Sequence, residues 1–235
     1  MEGQPIVDVR QVHKVYQRGG EKLDVLKGVS LQVPKGEFLA LMGPSGSGKT
    51  TLLNLMAGID NPTAGDVIIN GQNISRLTED QLAAWRTKNI GYVFQSFNLV
   101  PVLTAYENIE LPLLLLKLDR KRRHQQVMTA LEVVGLADRK DHLPRQLSGG
   151  QEQRVAIARS LATDPPLILG DEPTGDLDRV SAESIMDLVG VLCREFQKTF
   201  VLVTHDPKVA QRAARVLHMD KGILVDEAEA FSTPA

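Results

Sequence analysis

The chain has 235 residues, of which 43% are hydrophobic and 24% are charged, a composition typical of a globular protein with a sizeable core. With a formal net charge of -2, the chain lacks the excess of basic residues that is typical of nucleic-acid-binding proteins, so we expect no nucleic-acid partner. The only cysteine, Cys193, cannot form an internal disulfide, which favours a reducing compartment. We recognise no signal peptide and no apolar run near the roughly 20 residues that cross a bilayer, so any membrane part is expected on another chain.

The first third of the chain predicts strands followed by a strand–loop–helix unit. Apolar and polar residues alternate at 7–9 and 29–33, as in half-exposed strands. Pro34–Gly36 predicts a turn, and the continuous apolar run Phe38–Met42 predicts a strand buried on both faces. A glycine-rich segment follows at once, and a helical pattern begins near residue 50.

Further along the chain, buried strands alternate with helices. Short apolar runs predict strands at 91–94, 167–169 and 200–203, and residues 216–225 predict a hairpin. From about Phe97 to Leu161 the pattern is helical, with Gly135 ending one helix and Asp164-Pro165-Pro166 stopping the next. This order predicts an α/β fold with a mainly parallel sheet and an inserted helical subdomain.

We therefore predict a single domain over residues 1–235. Its β subdomain and core would comprise 1–95 and 162–225, its helical subdomain 96–161, and its loose C-terminal tail 226–235.

The glycine-rich segment Gly43–Thr50 matches the phosphate-binding pattern G-x-x-x-x-G-K-T. Glycines allow the backbone to wrap so that successive N–H groups point at phosphate oxygens, and the following helix adds its positive N-terminal dipole. We expect Lys49 to contact the terminal phosphates and the Thr50 hydroxyl to coordinate Mg²⁺. A chance glycine-rich turn is the alternative, but the preceding strand and following helix argue against it. The predicted phosphate contacts are Gly43, Pro44, Ser45, Gly46, Ser47, Gly48, Lys49, Thr50 and Thr51.

Two adjacent acids, Asp171 and Glu172, follow the apolar run at 167–169. The carboxyl ends of strands are where ligands bind in open α/β sheets. Asp171 is placed to hold Mg²⁺, directly or through water, and Glu172 to act as general base on the attacking water. Two solvated acids at a turn would be the alternative reading.

A second anion-binding helix start is predicted at Leu147–Gln151, before a helix carrying Val155, Ile157 and Leu161. Ser148, Gly149 and Gly150 would open that helix with exposed N–H groups. One chain thus has two phosphate-binding helix starts.

On these motifs, the chain from about Val7 to Val225 resembles the ABC (ATP-binding cassette) ATPases. The resemblance implies a P-loop, RecA-like core with a mainly parallel sheet, an antiparallel β subdomain and the helical signature subdomain. It also implies ATP and Mg²⁺ as bound groups and a head-to-tail homodimer around two ATP molecules. Further residues match the family's motifs: Tyr16 the aromatic that stacks on adenine, Gln95 the glutamine at the hinge and on Mg²⁺, and His205 the switch histidine. Gly175–Asp178 matches the D-loop, with Asp178 at the seam of the dimer. Taken alone, a tyrosine, a glutamine or a histidine usually has only a structural role.

In the dimer that the resemblance implies, each site takes residues from both chains. Catalysis would fall to Glu172, His205 and Lys49, and Mg²⁺ to Thr50, Gln95 and Asp171. Ser148, Gly149, Gly150 and Gln151 would come from the partner chain.

Finer similarity, at Phe97–Pro101, Leu103–Asn108 and Leu111–Leu113, is to the lipoprotein-release and macrolide-export group. It implies separate transmembrane permease subunits, whose cytoplasmic helix would dock near residues 97–107, and a peripheral place at the cytoplasmic face of the membrane. Gly170, Glu152 and Asp176 depart from the usual alanine, glutamine and asparagine, without removing a group that the chemistry needs.

Three other functions compete with this one. A soluble ABC protein of repair or translation usually carries two cassettes or long insertions, which this chain lacks. A GTPase would show an N-K-x-D motif, which is absent, and neither a GTPase nor a small-molecule kinase explains Leu147–Gln151. A cell-division ABC protein acting on a cell-wall hydrolase is poorly separated from a transporter subunit by sequence.

Overall fold

The computed structural model describes residues 4–225, so the predicted tail at 226–235 lies outside the described residues. These divide into two units: one runs up to Ala83 and resumes at Thr199, and the other is Ala84–Lys198. The strands are β1 (Val7–Arg18), β2 (Glu21–Val33), β3 (Phe38–Met42), β4 (Ala64–Ile69), β5 (Gln72–Asn73), β6 (Ile90–Val93), β7 (Leu167–Asp171), β8 (Thr199–Val203), β9 (Arg215–Asp220) and β10 (Ile223–Val225). The α-helices are α1 (Lys49–Met56), α2 (Glu79–Asn89), α3 (Ala105–Glu110), α4 (Arg120–Val133), α5 (Gly149–Leu161), α6 (Arg179–Phe196) and α7 (Pro207–Ala210), and 3-10 helices cover Ile74–Arg76, Leu111–Leu115, Ala137–Arg139 and Pro144–Gln146.

An antiparallel sheet in the first unit has the strand order β2-β1-β4-β5. Val7 pairs with Val33 on one side and with Ile69 on the other, and all three side chains are fully buried. At 29–33 buried and exposed residues alternate, as predicted for a half-exposed strand. At 7–9 the prediction is wrong, because Asp8 is buried as well as Val7 and Val9, with its carboxylate bonded to Arg10 and Gln32.

The same unit contains a largely parallel set of strands around β3. β3 pairs in parallel with β8 and with β9, and β10 folds back antiparallel on β9. Having a neighbour on each side, β3 is buried along almost its whole length, which accounts for its continuous apolar run. The predicted hairpin is confirmed, and its turn places Lys221 and Gly222 at φ values of 45° and 88°, conformations that turn residues of this kind tolerate.

In the second unit, β6 and β7 form a parallel pair, with Val93 opposite Gly170. β6 ends one residue before the predicted limit. Gly135, at φ 72°, follows the end of α4, and α5 stops before Asp164, as predicted. Cys193 is buried on α6, and burial raises the pKa of its thiol to about 11.

One prediction in this unit is wrong. The helical pattern was expected to start near Phe97, but residues 94–104 form an irregular loop and α3 begins only at Ala105. Phe97 and Asn98 have positive φ values, 22° and 48°, which no α-helix accepts. Thr104 then starts α3 with a capping box, in which its hydroxyl accepts from the Glu107 N–H and the Glu107 carboxylate accepts from the Thr104 N–H.

The predicted α/β class, with parallel and antiparallel strands and inserted helices, is confirmed. Among residues 4–225, no helix is both long and apolar enough to span a membrane.

The contact between β6 and α5 yields a stability prediction. A Cβ at Gly91 would lie 2.4 Å from the Ser160 carbonyl oxygen, so Gly91→Ala must displace backbone. We expect a loss of about 1–3 kcal/mol in the free energy of unfolding, as for other overpacked sites. Gly190→Ala in α6 is the matched control, since its Cβ would meet only the flexible end of Arg194 at 3.1 Å and alanine favours a helix. Thermal melting should show a clear drop for the first variant and none for the second; equal melting temperatures would contradict the packing.

Candidate functional site

The loop between β3 and α1 has a backbone that only glycine can follow at two positions. Gly43 has a φ of 147°, and a Cβ there would lie 2.1 Å from the Met219 carbonyl oxygen. Gly48 caps α1 at φ 104°, and its Cβ would lie 2.9 Å from Leu26 Cδ2. The glycines of the motif therefore allow close approach of the Met219 backbone at Gly43 and of the Leu26 side chain at Gly48.

Two polar side chains of this loop, Lys49 and Ser47, are buried. Lys49 is 7% exposed, and its Nζ donates to the carbonyl oxygens of Gly43 and Pro44, at 2.8 and 2.9 Å. The Ser47 hydroxyl is buried without a hydrogen-bond partner. A buried hydroxyl of this kind is normally satisfied by a ligand or water. Of the other predicted contacts, Thr50 is exposed and Thr51 is half-buried.

The turn between β9 and β10 supports the loop from behind. The Gly222 N–H donates to the Ser47 carbonyl oxygen at 3.1 Å, and the Gly222 carbonyl accepts from the Lys27 N–H at 2.9 Å. We did not predict this support, and its only signal in the sequence is the Asp-Lys-Gly turn at residues 220–222.

Tyr16 lies on β1 and is 38% exposed. Its hydroxyl donates to Asp60 Oδ2 at 2.6 Å, and the Lys14 ammonium lies 4.7 Å from its ring centroid. Burial, and then the hydrogen bond to the Asp60 carboxylate, raise the pKa of the tyrosine hydroxyl. Lys14 Nζ also bonds Asp60 Oδ1 at 2.5 Å, so the cation over the ring and the acceptor of its hydroxyl are held together. No motif in the sequence indicates that Lys14 and Asp60 contact Tyr16.

His205 follows β8 and is exposed. It borders a cavity of about 350 Å³ together with Met42, Gly43 and His218. The predicted switch histidine and the first residue of the phosphate loop therefore line the same cavity.

The acidic pair lies at the end of β7, as its sequence position indicated. Asp171 is the last strand residue, and Glu172 has a φ of 49°, a rare conformation for glutamate. Burial of Tyr92, and then the negative charge of Asp171, raise the pKa of the tyrosine hydroxyl. A backbone turn in a sparsely populated conformation therefore presents Glu172, as functional sites often do.

Gln95 and the D-loop are in direct contact. Gln95 Nε2 donates to Asp176 Oδ1 at 3.1 Å, and a Cβ on Gly175 would lie 3.1 Å from the same nitrogen. The sequence identified both segments but not their hydrogen bond, which joins residues far apart in the chain.

Ser148 begins α5 as an N-cap. Its hydroxyl accepts from the Gln151 N–H at 3.3 Å, and Gln151 Oε1 accepts from the Ser148 N–H at 3.0 Å. Ser148 is exposed, and Gly149 and Gly150 are partly so. A Cβ at Gly150 would lie 2.8 Å from Ser181 Oγ, so the helix start packs closely against α6.

Asp178 begins α6 in the same way. Its Oδ1 accepts from the backbone N–H groups of Val180 and Ser181, each at 3.0 Å, and its Oδ2 accepts from the Ser181 hydroxyl at 2.6 Å. The Ser181 hydroxyl, followed by the backbone N–H groups, lowers the pKa of the Asp178 carboxyl. Gly150 and Asp178, both predicted site residues, thus meet at Ser181.

The predicted site residues are carried by both units: Tyr16, residues 43–51 and His205 by the first, and Gln95, residues 148–151, Asp171, Glu172 and Asp178 by the second.

Comparison with known proteins decides the family. The sequence model described as "ABC transporter" matches residues 26–175, more than half of the chain. The chain belongs to the ABC transporter family. This confirms the resemblance to ABC ATPases that the motifs indicated.

Individual relatives agree. The chain is 46% identical over 220 residues to the uncharacterized ABC transporter ATP-binding protein YknY of Bacillus subtilis, covering 94% of this chain and 95% of that protein. It is 44% identical, with the same coverage, to the lipoprotein-releasing system ATP-binding protein LolD of Bordetella pertussis. The macrolide export ATP-binding/permease protein MacB of Rhodopirellula baltica is 46% identical over 94% of this chain but only 33% of its own length.

Among solved structures, the ATP-binding cassette MJ0796 is similar, with a TM-score of 0.85 and 44% identity over 94% of this chain and 97% of that one. That structure is described as a dimeric post-hydrolysis state bound to ADP and Pi. The similarity to LolD and to the ATP-binding part of MacB confirms the resemblance to the lipoprotein-release and macrolide-export group.

Tyr16 can be tested for base stacking. Tyr16→Ala should weaken ATP binding by about 1 kcal/mol, because it removes the aromatic face on which adenine would lie. Tyr16→Phe is the matched control, because it keeps the ring and loses only the hydrogen bond to Asp60, so the affinity for ATP should change little. Tyr16→Trp should also be tolerated. Calorimetric titration with ATP measures the three affinities. Parental affinity in Tyr16→Ala would contradict stacking.

The Asp178 cap predicts a pH dependence of stability. Because the folded pKa of this carboxyl is lowered, its stabilisation is full above the unfolded value of about 3.9 and is lost as pH falls through the folded value. Asp178→Asn can still cap the helix but does not titrate. The parent should therefore melt higher than Asp178→Asn at pH 7, and this difference should shrink below about pH 4. A difference in melting temperature that is constant with pH would contradict the ionised cap.

Proposed function

We propose that the chain is the ATP-hydrolysing subunit of an ABC transporter, working as a homodimer that closes around two ATP molecules and drives separate transmembrane permease subunits. The observation that carries the proposal is the loop between β3 and α1, where buried Lys49 and the unpartnered Ser47 hydroxyl lie within a cradle that admits no Cβ at Gly43 or Gly48. Family membership and the dimeric MJ0796 cassette support the same reading.

The phosphate loop fits ATP chemically. The Lys49 ammonium donates to two carbonyl oxygens of the loop. When ATP binds, the same N–H groups would donate to the β- and γ-phosphate oxygens instead. The N–H groups at the start of α1 and the Ser47 hydroxyl would bind further oxygens. Tyr16 would hold adenine, while the cation over its other face keeps the ring in place.

The residues also fit Mg²⁺, a hard cation that prefers oxygen ligands and keeps several waters. The Thr50 hydroxyl, the Gln95 amide oxygen and the Asp171 carboxylate would hold it. When bound, Mg²⁺ supplies positive charge against the phosphate oxygens.

Catalysis would rest on positioning and charge stabilisation, as in other phosphoryl transfers. Glu172 would accept a proton from the attacking water, His205 would contact the γ-phosphate, and Lys49 would stabilise the developing negative charge. The rare backbone conformation of Glu172 supports this role, because it fixes the direction in which the carboxylate leaves β7.

The partner copy would complete each site through Ser148, Gly149, Gly150 and Gln151. The start of α5 is exposed and rich in backbone donors, so it suits the γ-phosphate of an ATP bound to the other copy. ATP would hold the two copies together, and hydrolysis would release them. Asp178, which meets Gly150 at Ser181, would lie near the seam.

We further propose a lipoprotein-release or macrolide-export type of complex, with the chain peripheral at the cytoplasmic face of the membrane. Similarity to LolD and to the ATP-binding part of MacB supports this. Affinity purification from the native membrane, followed by mass spectrometry, tests it: a permease should co-purify at a constant ratio. A cell-wall hydrolase system or a purely soluble partner would instead support the alternatives.

Glu172→Gln tests the chemistry. The substitution keeps the shape of the side chain and removes its basicity, so turnover should fall by about 10²–10⁴-fold. ATP should still bind, and removal of the like charge should favour the closed dimer. Light scattering with ATP and Mg²⁺ at several protein concentrations measures the dimer, and phosphate release measures turnover. Near-parental turnover would contradict the base assignment.

Adding Ser148→Arg to Glu172→Gln tests the composite site. The bulky cation blocks the start of α5, so the double variant should bind ATP and remain monomeric. If the double variant still dimerises with ATP, Ser148 is not at the interface and the sandwich arrangement is wrong.

A further inference from the structure

The loop at 94–104, here called the crest loop, is exposed and apolar at its tip. Val102 is 78% exposed and Val100 36% exposed. The loop begins immediately before Gln95. Phe97, at φ 22°, has a backbone conformation that is rare for a bulky side chain, and Asn98, at φ 48°, has a left-handed conformation that asparagine tolerates better. Such a conformation persists only where surrounding contacts maintain it.

Arg159 supplies contacts at the start of the crest loop. From the last turn of α5, its Nη1 donates to the Asn98 carbonyl oxygen at 2.6 Å and its Nη2 to the Phe97 carbonyl oxygen at 2.8 Å. Both carbonyls belong to the two residues of the loop that have positive φ. Within residues 4–225, no carboxylate pairs with this guanidinium, so these two carbonyls are its polar partners there.

Asn108 fixes the other end. It is fully buried, its Oδ1 accepts from the Val100 N–H at 2.7 Å, and its Nδ2 donates to the carbonyls of Leu103 and Thr104, each at 3.0 Å. The crest loop is therefore held in one shape by two side chains, one from α5 and one from α3.

The helix that carries Arg159 begins at Ser148. The two residues lie about 16 Å apart along a single helix, at 1.5 Å per residue. Helix α5 therefore has the motif that would face the partner copy at its start, and Arg159, which binds the crest loop, near its end.

We propose that Arg159 is a positioning residue that couples the state of Ser148–Gln151 to the crest loop. The inference rests on the proposed function, in which the start of α5 contacts the ATP of the partner copy. When that contact forms, α5 becomes less mobile. Because Arg159 is hydrogen-bonded to the crest loop, this loop, which would face the permease, becomes less mobile as well. Gln95, held by Asp176, senses the nucleotide of its own copy, so the crest loop would respond to both ATP molecules.

The chemistry requires arginine at this position. Two adjacent carbonyl oxygens match the planar fork of a guanidinium, whereas a lysine ammonium is a single, strongly hydrated point. Arg159→Lys therefore keeps the charge and loses the two-point grip.

The test is hydrogen–deuterium exchange of the whole chain in the Glu172→Gln background, with and without ATP and Mg²⁺. In that parent, ATP should form the dimer and slow amide exchange in peptides covering 97–104 at least several-fold. With Arg159→Lys added, the dimer should still form by light scattering, and the ATP-dependent slowing at 97–104 should be largely lost.

Arg154→Lys is the matched control, because Arg154 lies on the same helix but donates to the Val134 carbonyl and the Ser184 hydroxyl instead of the crest loop. Its ATP-dependent protection at 97–104 should equal that of the parent. An equal loss in both variants would show general loosening of α5 and would overturn the specific role of Arg159.

Two other outcomes are distinguishable. Dimerisation with full protection at 97–104 in Arg159→Lys overturns this inference alone, whereas failure of the parent to dimerise overturns the proposed sandwich and the inference with it.

If Arg159→Lys melts too low to measure, Asn98→Gly is added to both parent and variant. Glycine accepts the positive φ that Arg159 helps to maintain, so the background should recover stability and allow the same comparison.

Discussion

The close approach of backbone to backbone behind the phosphate loop is the constraint on which the nucleotide site depends. Strand β9 runs parallel to β3, and the Met219 carbonyl then lies where a Cβ of residue 43 would stand. The next turn returns Gly222 to the Ser47 carbonyl. Without this support from the end of the described chain, the loop would lack the shape that buries Lys49 and leaves the Ser47 hydroxyl without a protein partner.

Helix starts serve two purposes in the second unit. Ser148 and Asp178 satisfy the N–H groups that open α5 and α6, as ordinary N-caps do. Both are also residues that the family motifs assign to the dimer seam, and they are linked through the contact of Gly150 with Ser181. The same local hydrogen bonds that stabilise the helices thus fix the position of the groups proposed to contact the partner's ATP.

Three of the eight non-glycine residues that have positive φ among residues 4–225 lie in or beside motifs that were predicted to be functional. Glu172, Phe97 and Asn98 all have positive φ, and each lies next to a motif for hydrolysis or coupling. At the crest loop the compensating contacts are visible, since Arg159 and Asn108 bind six backbone groups there. Strained backbone held by distant side chains is well suited to respond when one of those side chains moves.

By itself, the sequence determined the fold class, the buried strands β3, β6, β7 and β8, and the motifs that identify the family. These signals are local: hydrophobic periodicity, glycine at turns, and short spacings such as that from Gly43 to Thr50. Only the tertiary structure decided that residues 94–104 are not helical, that Gln95 bonds Asp176, and that Lys14 and Asp60 hold the Tyr16 ring. Each of these depends on side chains or backbone groups that packing brings together. Arg159 is 61 residues from Asn98 in the sequence, so no local pattern in the crest loop indicates that Arg159 binds it. The physical reason is that helix and strand patterns report the burial of neighbouring residues, whereas a hydrogen bond between distant segments depends on their three-dimensional arrangement.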